Sequence, residues 1–189
     1  MSLSKRMDPS RRRFLRVLGA AALPGLVAAG CQVRPLYGSL DMSTGEGQSV
    51  PDELAAIEIE PISHQYANED ATRELYNELV YRFERGTTRP EKLYRLKVLI
   101  DINSSEVGVE QLADIPAAYT TTMNATFVLS DKATDKTLMT GRSFATASYD
   151  FSNQRFANLR ARKDAEERAA KAVADDIQTR IAGHFASQS

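Results

Sequence analysis

From Leu54 onward the alternation of apolar and polar side chains divides the chain into six elements. Ala55, Ile57 and Ile59 alternate with Ala56, Glu58 and Glu60 and stop at Pro61, the period-two pattern of a short strand. Residues 68–85 change to helical spacing: Leu75, Tyr76, Leu79, Val80 and Phe83 recur on one side, and Gly86 lies just past the end. A second strand follows, with Tyr94, Leu96, Val98, Ile100 and Ile102 facing one way and Lys97, Asp101 and Asn103 the other; Leu99 interrupts the polar side. The third strand shows the clearest alternation. Ala117, Tyr119, Thr121, Met123, Ala125, Phe127 and Leu129 take one face, and Thr120, Thr122, Asn124, Thr126 and Ser130 most of the other. At ~3.4 Å per residue that strand exceeds ~40 Å, long for a small domain. Residues 130–136 have turn composition, so a fourth strand over residues 137–149 is expected to return antiparallel.

Residues 152–185 read as one long helix. Phe156, Leu159, Ala169, Val173, Ile177 and Ile181 supply its apolar stripe, and pairs such as Asp164/Arg168 and Asp176/Arg180 sit four apart on its surface. The order β-α-β-β-β-α predicts an α+β two-layer sandwich, a four-stranded, mainly antiparallel sheet with two helices packed on one face. Gly108 and Gly141 are candidate bulge sites. No repeat or second domain is visible.

Ahead of this pattern the chain changes character twice. Residues 38–53 carry three glycines, several serines and no periodicity, so 31–53 is expected to be a flexible linker and 54–189 the folded domain. Residues 1–30 pair a basic start, Lys5 to Arg16, with a modest apolar run that ends in Ala28-Ala29-Gly30 before Cys31. That run is shorter than the roughly 20 residues needed to span a bilayer, and Gly19, Pro24 and Gly25 oppose a core helix. Its flanks are those of a cleaved signal peptide. Ser10-Arg11-Arg12-Arg13-Phe14-Leu15-Arg16 resembles a twin-arginine export motif, and an arginine-rich general secretory signal fits equally. Ala28-Ala29-Gly30-Cys31 resembles a lipobox, with Ala28 where Leu is usual; Cys31 is then the lipidated first residue of the mature chain. Several acyl chains, at ~0.8 kcal/mol per buried methylene, hold such a residue almost permanently in a membrane. Gln32 in place of Asp favours the outer membrane, by analogy with other lipoproteins.

Charge follows the same division. Residues 1–30 hold six basic groups and one acid, which leaves 18 basic and 24 acidic groups after Gly30, a net charge of −6. An acidic mature domain argues against nucleic acid as a partner. With a single cysteine no internal disulfide forms, so the domain relies on its core. Catalytic chemistry leaves no trace in the pattern. His64 and His184 lie far apart in sequence, and Cys31 is committed to lipid, so no metal ligand set remains. No phosphate-binding glycine loop, dinucleotide fingerprint or Gly-x-Ser-x-Gly elbow is present. No enzyme activity and no cofactor is expected, and the chain reads as a binding or structural protein.

Four stretches, in order, carry a resemblance to a known family. They are Cys31-Gln-Val-Arg-Pro-Leu-Tyr-Gly38, Ala118-Tyr-Thr-Thr-Thr-Met-Asn-Ala-Thr-Phe127, Ala145-Thr-Ala-Ser-Tyr-Asp150 and Asn158-Leu-Arg-Ala-Arg-Lys-Asp-Ala-Glu-Glu-Arg-Ala-Ala170. Together they resemble the LPS-assembly lipoproteins of the LptE family, most closely its alphaproteobacterial branch. Gln32 and Val33 depart from the Gly-Phe expected after the cysteine. The resemblance implies a lipid-anchored, periplasm-facing outer-membrane lipoprotein. It would act as plug and assembly partner of the LptD β-barrel in delivering lipopolysaccharide to the cell surface. A plug must offer a large polar surface to a polar barrel lumen, and the threonine-rich side of the third strand is suited to that. Lipopolysaccharide phosphates are candidates for contact with Lys92, Arg95, Lys97, Lys132, Lys136 and Arg142, which cluster near strand two and the following hairpin. The competing reading is a free-standing outer-membrane lipoprotein that binds a lipid or a cell-wall ligand.

Overall fold

A computed structural model of the chain describes residues 49–63, 69–85, 91–110 and 115–188, with the side chains of residues 109–110 and 115–116 excepted. Cys31, His64 and Gly86, and with them the signal and lipidation readings, lie outside the described residues.

Helix α1, Val50–Ala55, opens the described domain. The Ser49 side chain accepts from the Asp52 amide, Pro51 occupies the first turn, and Asp52 and Glu53 place negative charge at the positive end of the helix. The helix takes in residues 50–53, assigned above to the linker on composition. Ser and Pro are turn formers and helix starters alike, and burial of Leu54 and Ala55 selects the helix. Strand β1 is correspondingly shorter than the alternation predicts, Ile57–Ile59.

Helix α2, Glu69–Glu84, then crosses over the sheet and buries Ala71, Thr72, Leu75, Leu79 and Phe83. It delivers the chain to β2, Tyr94–Glu110, parallel to β1 in the register Ile57↔Tyr94. β2 pairs antiparallel with β3, Ile115–Asp131, from Tyr94↔Asp131 to Glu110↔Ile115. β4, Thr137–Asp150, returns antiparallel to β3, and α3, Arg155–Ala186, closes the fold. The sheet order is β1-β2-β3-β4, so the predicted α+β layering and mainly antiparallel sheet are present, with α1 as an added short helix.

The β3–β4 turn is held by Asp131, whose Oδ1 accepts from the amides of Ala133 (3.1 Å) and Thr134 (2.8 Å) and from the Thr134 hydroxyl (2.7 Å). These bonds hold the Asp131 carboxyl below its ordinary range. The register shift falls between Leu129 and Ser130, at the hairpin end, and not at either candidate glycine. Gly108 has φ +71°, a left-handed conformation suited to glycine, without displacing the β2–β3 register. Gly141 serves close packing: it lies opposite Phe127, and a Cβ there would stand 2.3 Å from the ring Cζ.

All three helices pack on one face of the sheet. Leu96, Val98 and Ile100 of β2 and Met123, Ala125, Phe127 and Leu129 of β3 share one core with the buried stripe of α3, which lies over β3 and β4 and includes Ala165, Ala169, Val173, Ala174, Ile177 and Ile181. Alanine at three of those positions lets the helix lie close to the strands. The stripe begins at Ala165. Phe156 and Leu159, expected to join it, are 83% and 54% exposed. The reason is length. At 1.5 Å per residue the 32 residues of α3 span ~48 Å, twice the reach of 16-residue α2. Asp70 and Ala71, at the start of α2, share a cleft with Lys163, Glu166 and Glu167, and Arg82 near its end pairs with Asp175 at 2.9 Å. The first two turns of α3 therefore run on past the start of α2.

Candidate functional site

Period-two alternation sends every second strand residue to the face opposite the helices. Among the described residues no element lies over that outer face. Its central rows, read across β2, β3 and β4, are Lys97–Val128–Thr140, Leu99–Thr126–Arg142, Asp101–Asn124–Phe144, Asn103–Thr122–Thr146 and Ser105–Thr120–Ser148. Hydroxyl and amide side chains dominate, with the Thr120 and Ser148 hydroxyls 2.8 Å apart and Asn103 donating to Asp101 at 2.6 Å. Set into this polar field are three exposed apolar side chains, Leu99 at 52%, Phe144 at 74% and, toward the far end of β2, Val107 at 49% exposure. Leu99 announced itself in the alternation as an apolar residue on the polar side of its strand. Phe144 escaped notice because the fourth strand alternates weakly, with Gly141, Ser143, Ala145 and Ala147 on its inner side.

The six candidate cations separate into two groups. Lys92, Arg95 and Lys132 are engaged with acids around β1. The Lys92 ammonium donates to the carbonyls of Ala55 (2.8 Å) and Ile57 (3.0 Å) and reaches Glu84 at 3.3 Å, tying the end of α1 to β1 and α2. Arg95 sits between Glu60 (3.5 Å) and Asp135 (3.0 Å). Lys132 meets Glu58 at 2.7 Å, and that hydrogen bond with its charge holds the Glu58 carboxyl below its ordinary range. Lys97, Lys136 and Arg142 are exposed and form no ion pair among the described residues. Lys97 and Arg142 lie on the outer face in adjacent rows, two strand spacings across and one row along or ~12 Å apart, flanking Leu99 and Thr126. Lys136 belongs to the hairpin turn.

The described residues hold no group of three or more His, Cys, Asp or Glu able to bind a metal, and no described helix is long and apolar enough to cross a membrane. His184 lies in the last turn of α3, where the helix dipole favours a cation, within 2.9 Å of the Gln188 amide nitrogen. What the arrangement offers is a broad polar sheet face with three exposed apolar side chains and two cations that have no ion pair among the described residues, suited to contact a surface.

Comparison with known proteins bears on what that surface serves. The family LptE, described as lipopolysaccharide-assembly, matches residues 54–181. No curated protein matches the chain. Among solved structures, a putative lipoprotein from Caulobacter crescentus is similar at 20% identity and a TM-score of 0.58, over 75% of this chain and 98% of its own. A minor lipoprotein from Acinetobacter baumannii gives 14% identity and a TM-score of 0.48, over 67% of this chain and 90% of its own. Rare lipoprotein B from Shewanella oneidensis gives 15% and 0.47, over 70% and 94%. The first of these shares the fold.

Proposed function

The chain belongs to the LptE lipopolysaccharide-assembly family, and from that premise we propose that it is the lipid-anchored partner of the LptD outer-membrane barrel. Membership carries a non-catalytic part in lipopolysaccharide assembly and the character of an outer-membrane lipoprotein. In the proposed arrangement the signal ends at Gly30, acylated Cys31 holds the mature chain in the membrane, and the domain plugs the barrel with its outer sheet face against the wall and its helical side turned to the periplasm, assisting delivery of lipopolysaccharide.

The observation that carries this reading is the outer sheet face. A β-barrel lumen is lined by polar side chains, and a plug must match it over a wide area. The threonine, serine and asparagine rows offer donors and acceptors at regular spacing, while Leu99 and Phe144 supply apolar anchors of the kind that dominate interface energetics. Within the same reading, Lys97, Arg142 and Lys136 are the first choice for lipopolysaccharide phosphates, because Lys92, Arg95 and Lys132 already satisfy acids of the fold.

Photocrosslinking in cells tests the arrangement. A photoreactive residue replacing Thr122 or Phe144 is expected to capture the barrel, and one replacing Arg73 on the helical side is not. Capture from position 73 alone, or a barrel that never co-purifies at native expression, overturns the proposal. Mass spectrometry of the mature chain tests the anchor, which an unmodified Cys31 thiol or an intact first thirty residues would exclude.

A further inference from the structure

The overhanging start of α3 presents an arrangement that the sheet face does not use. Residues 155–163 contain four cations, Arg155, Arg160, Arg162 and Lys163, and no acid, within a mature domain of net charge −6. Arg162 pairs with Glu166 at 2.9 Å, and Lys163 borders the cleft with Asp70, Glu74 and Glu167. Arg155 and Arg160 have no acidic partner among the described residues. At 100° per residue Phe156, Leu159, Arg160 and Lys163 fall within one 100° sector, with Arg155 beside it. Phe156 is 83% exposed and Leu159 54%.

Beneath this turn the inner face of the sheet ends in aromatic side chains and not in aliphatic core. Tyr119 stacks on Tyr149 with ring centroids 5.5 Å apart, and Phe151 tilts against Tyr119 at 6.4 Å. Together with Leu159, Arg155 and Arg162 these rings line an open cleft of 380 Å³. Desolvation pushes the Tyr149 hydroxyl above its ordinary pKa. One end of the molecule thus combines protruding apolar side chains, amphipathic tyrosines and unpaired arginines. Side chains of these types anchor proteins at the boundary between lipid headgroups and acyl chains.

We infer that the first two turns of α3 dock on an anionic phospholipid surface, with Phe156 and Leu159 inserted below the headgroups and Arg155 and Arg160 on lipid phosphates. Charge complementarity selects this occupant. The apolar area offered is small, so insertion needs the electrostatic attraction, and only an anionic lipid surface supplies it next to an apolar layer. The inference does not depend on the barrel partnership, since it concerns a different face of the domain.

The chain has no tryptophan, so Phe156→Trp introduces a single fluorescent reporter at an exposed position, and Phe144→Trp supplies a control on the outer sheet face. The full chain is placed on vesicles of phosphatidylethanolamine and phosphatidylglycerol that contain brominated acyl chains. The emission reads where the helix lies, so an acyl anchor that tethers the chain does not mask the result. Blue-shifted, quenched emission from position 156 with none from 144 is expected, falling roughly 30-fold in apparent partition when Arg155→Gln and Arg160→Gln are added. Four outcomes overturn the inference. They are an unquenched position 156 on anionic vesicles, equal quenching on phosphatidylcholine alone, a blue shift without vesicles that grows with protein concentration, and a blue shift seen only with lipopolysaccharide.

Discussion

Gly141 and Phe127 form a cross-strand pair whose energetics follow from one distance. A methyl group at Gly141 would stand 2.3 Å from Phe127 Cζ, 2.7 Å from Cε1 and 3.1 Å from Cε2, where carbon atoms prefer about 3.5–4.0 Å. The ring is fully buried and packed in the core, so it has no free direction in which to retreat. Gly141→Ala is therefore expected to cost about 1–3 kcal/mol through overpacking. Phe127→Ala, which leaves a cavity at the centre of the sheet, should cost about 3–5 kcal/mol. In that second background the added methyl meets empty space and removes a glycine from a strand interior, where glycine is worse than alanine by about 0.5–1 kcal/mol. The same substitution thus changes sign. It destabilises the native chain and stabilises the Phe127→Ala chain, with a coupling on the order of 2–3 kcal/mol. Urea unfolding of the four chains, followed by circular dichroism, measures the cycle. Costs that add to within about 0.5 kcal/mol would refute the packing argument.

Two further expectations follow from side chains that the fold engages. Lys92→Met removes the ammonium that joins Ala55, Ile57 and Glu84 and should lower stability by about 1–3 kcal/mol; a urea unfolding free energy within about 0.5 kcal/mol of the native chain's would reverse the assignment. The Tyr94 hydroxyl is pushed up to about 12, first by burial and then by the nearby Glu53 carboxylate, so the folded chain favours its protonated form. Its contribution is fully present below the unfolded value near 10 and is lost as pH rises from 10 to 12. Tyr94→Phe should flatten that part of the fall in urea midpoint with pH, and a slope identical to that of the native chain would count against the shift.

The strand pattern from Tyr94 to Tyr149 was legible in the sequence because one face of each strand is buried, and a period of two then fixes the register. At β1 the alternation starts two residues before the strand does, because Ala55 and Ala56, small enough for helix or strand, belong to the end of α1 and its cap. Helix α3 was legible in extent and only partly in burial. Phe156 and Leu159 continue its apolar stripe in sequence, yet whether a stripe is covered depends on how far the neighbouring helix extends. Periodicity along one element carries no information about that. The charged residues show the same boundary. Sequence proximity placed six cations near strand two and the hairpin, whereas tertiary pairing with Glu58, Glu60, Glu84 and Asp135 decides which three have no ion pair among the described residues.

An acidic domain has more carboxylates than cations, so a cation without a partner is not a consequence of composition. Lys92, Arg95 and Lys132 show what the fold does when structure alone is at stake: each meets an acid or a carbonyl. Among the described residues Lys97 and Arg142 do not, and they flank exposed Leu99 next to the row of Phe144; Arg155 and Arg160 do not, and they flank exposed Phe156 and Leu159. Neither combination stabilises the isolated domain, because an exposed aromatic gains nothing from burial and an unpaired cation nothing from pairing. Both features contribute once a surface covers them. Two unrelated faces carrying the same coincidence point to two contacts, one across the sheet and one at the helix start. A substitution that weakens either contact should therefore leave the folding midpoint within about 0.5 kcal/mol of the native chain.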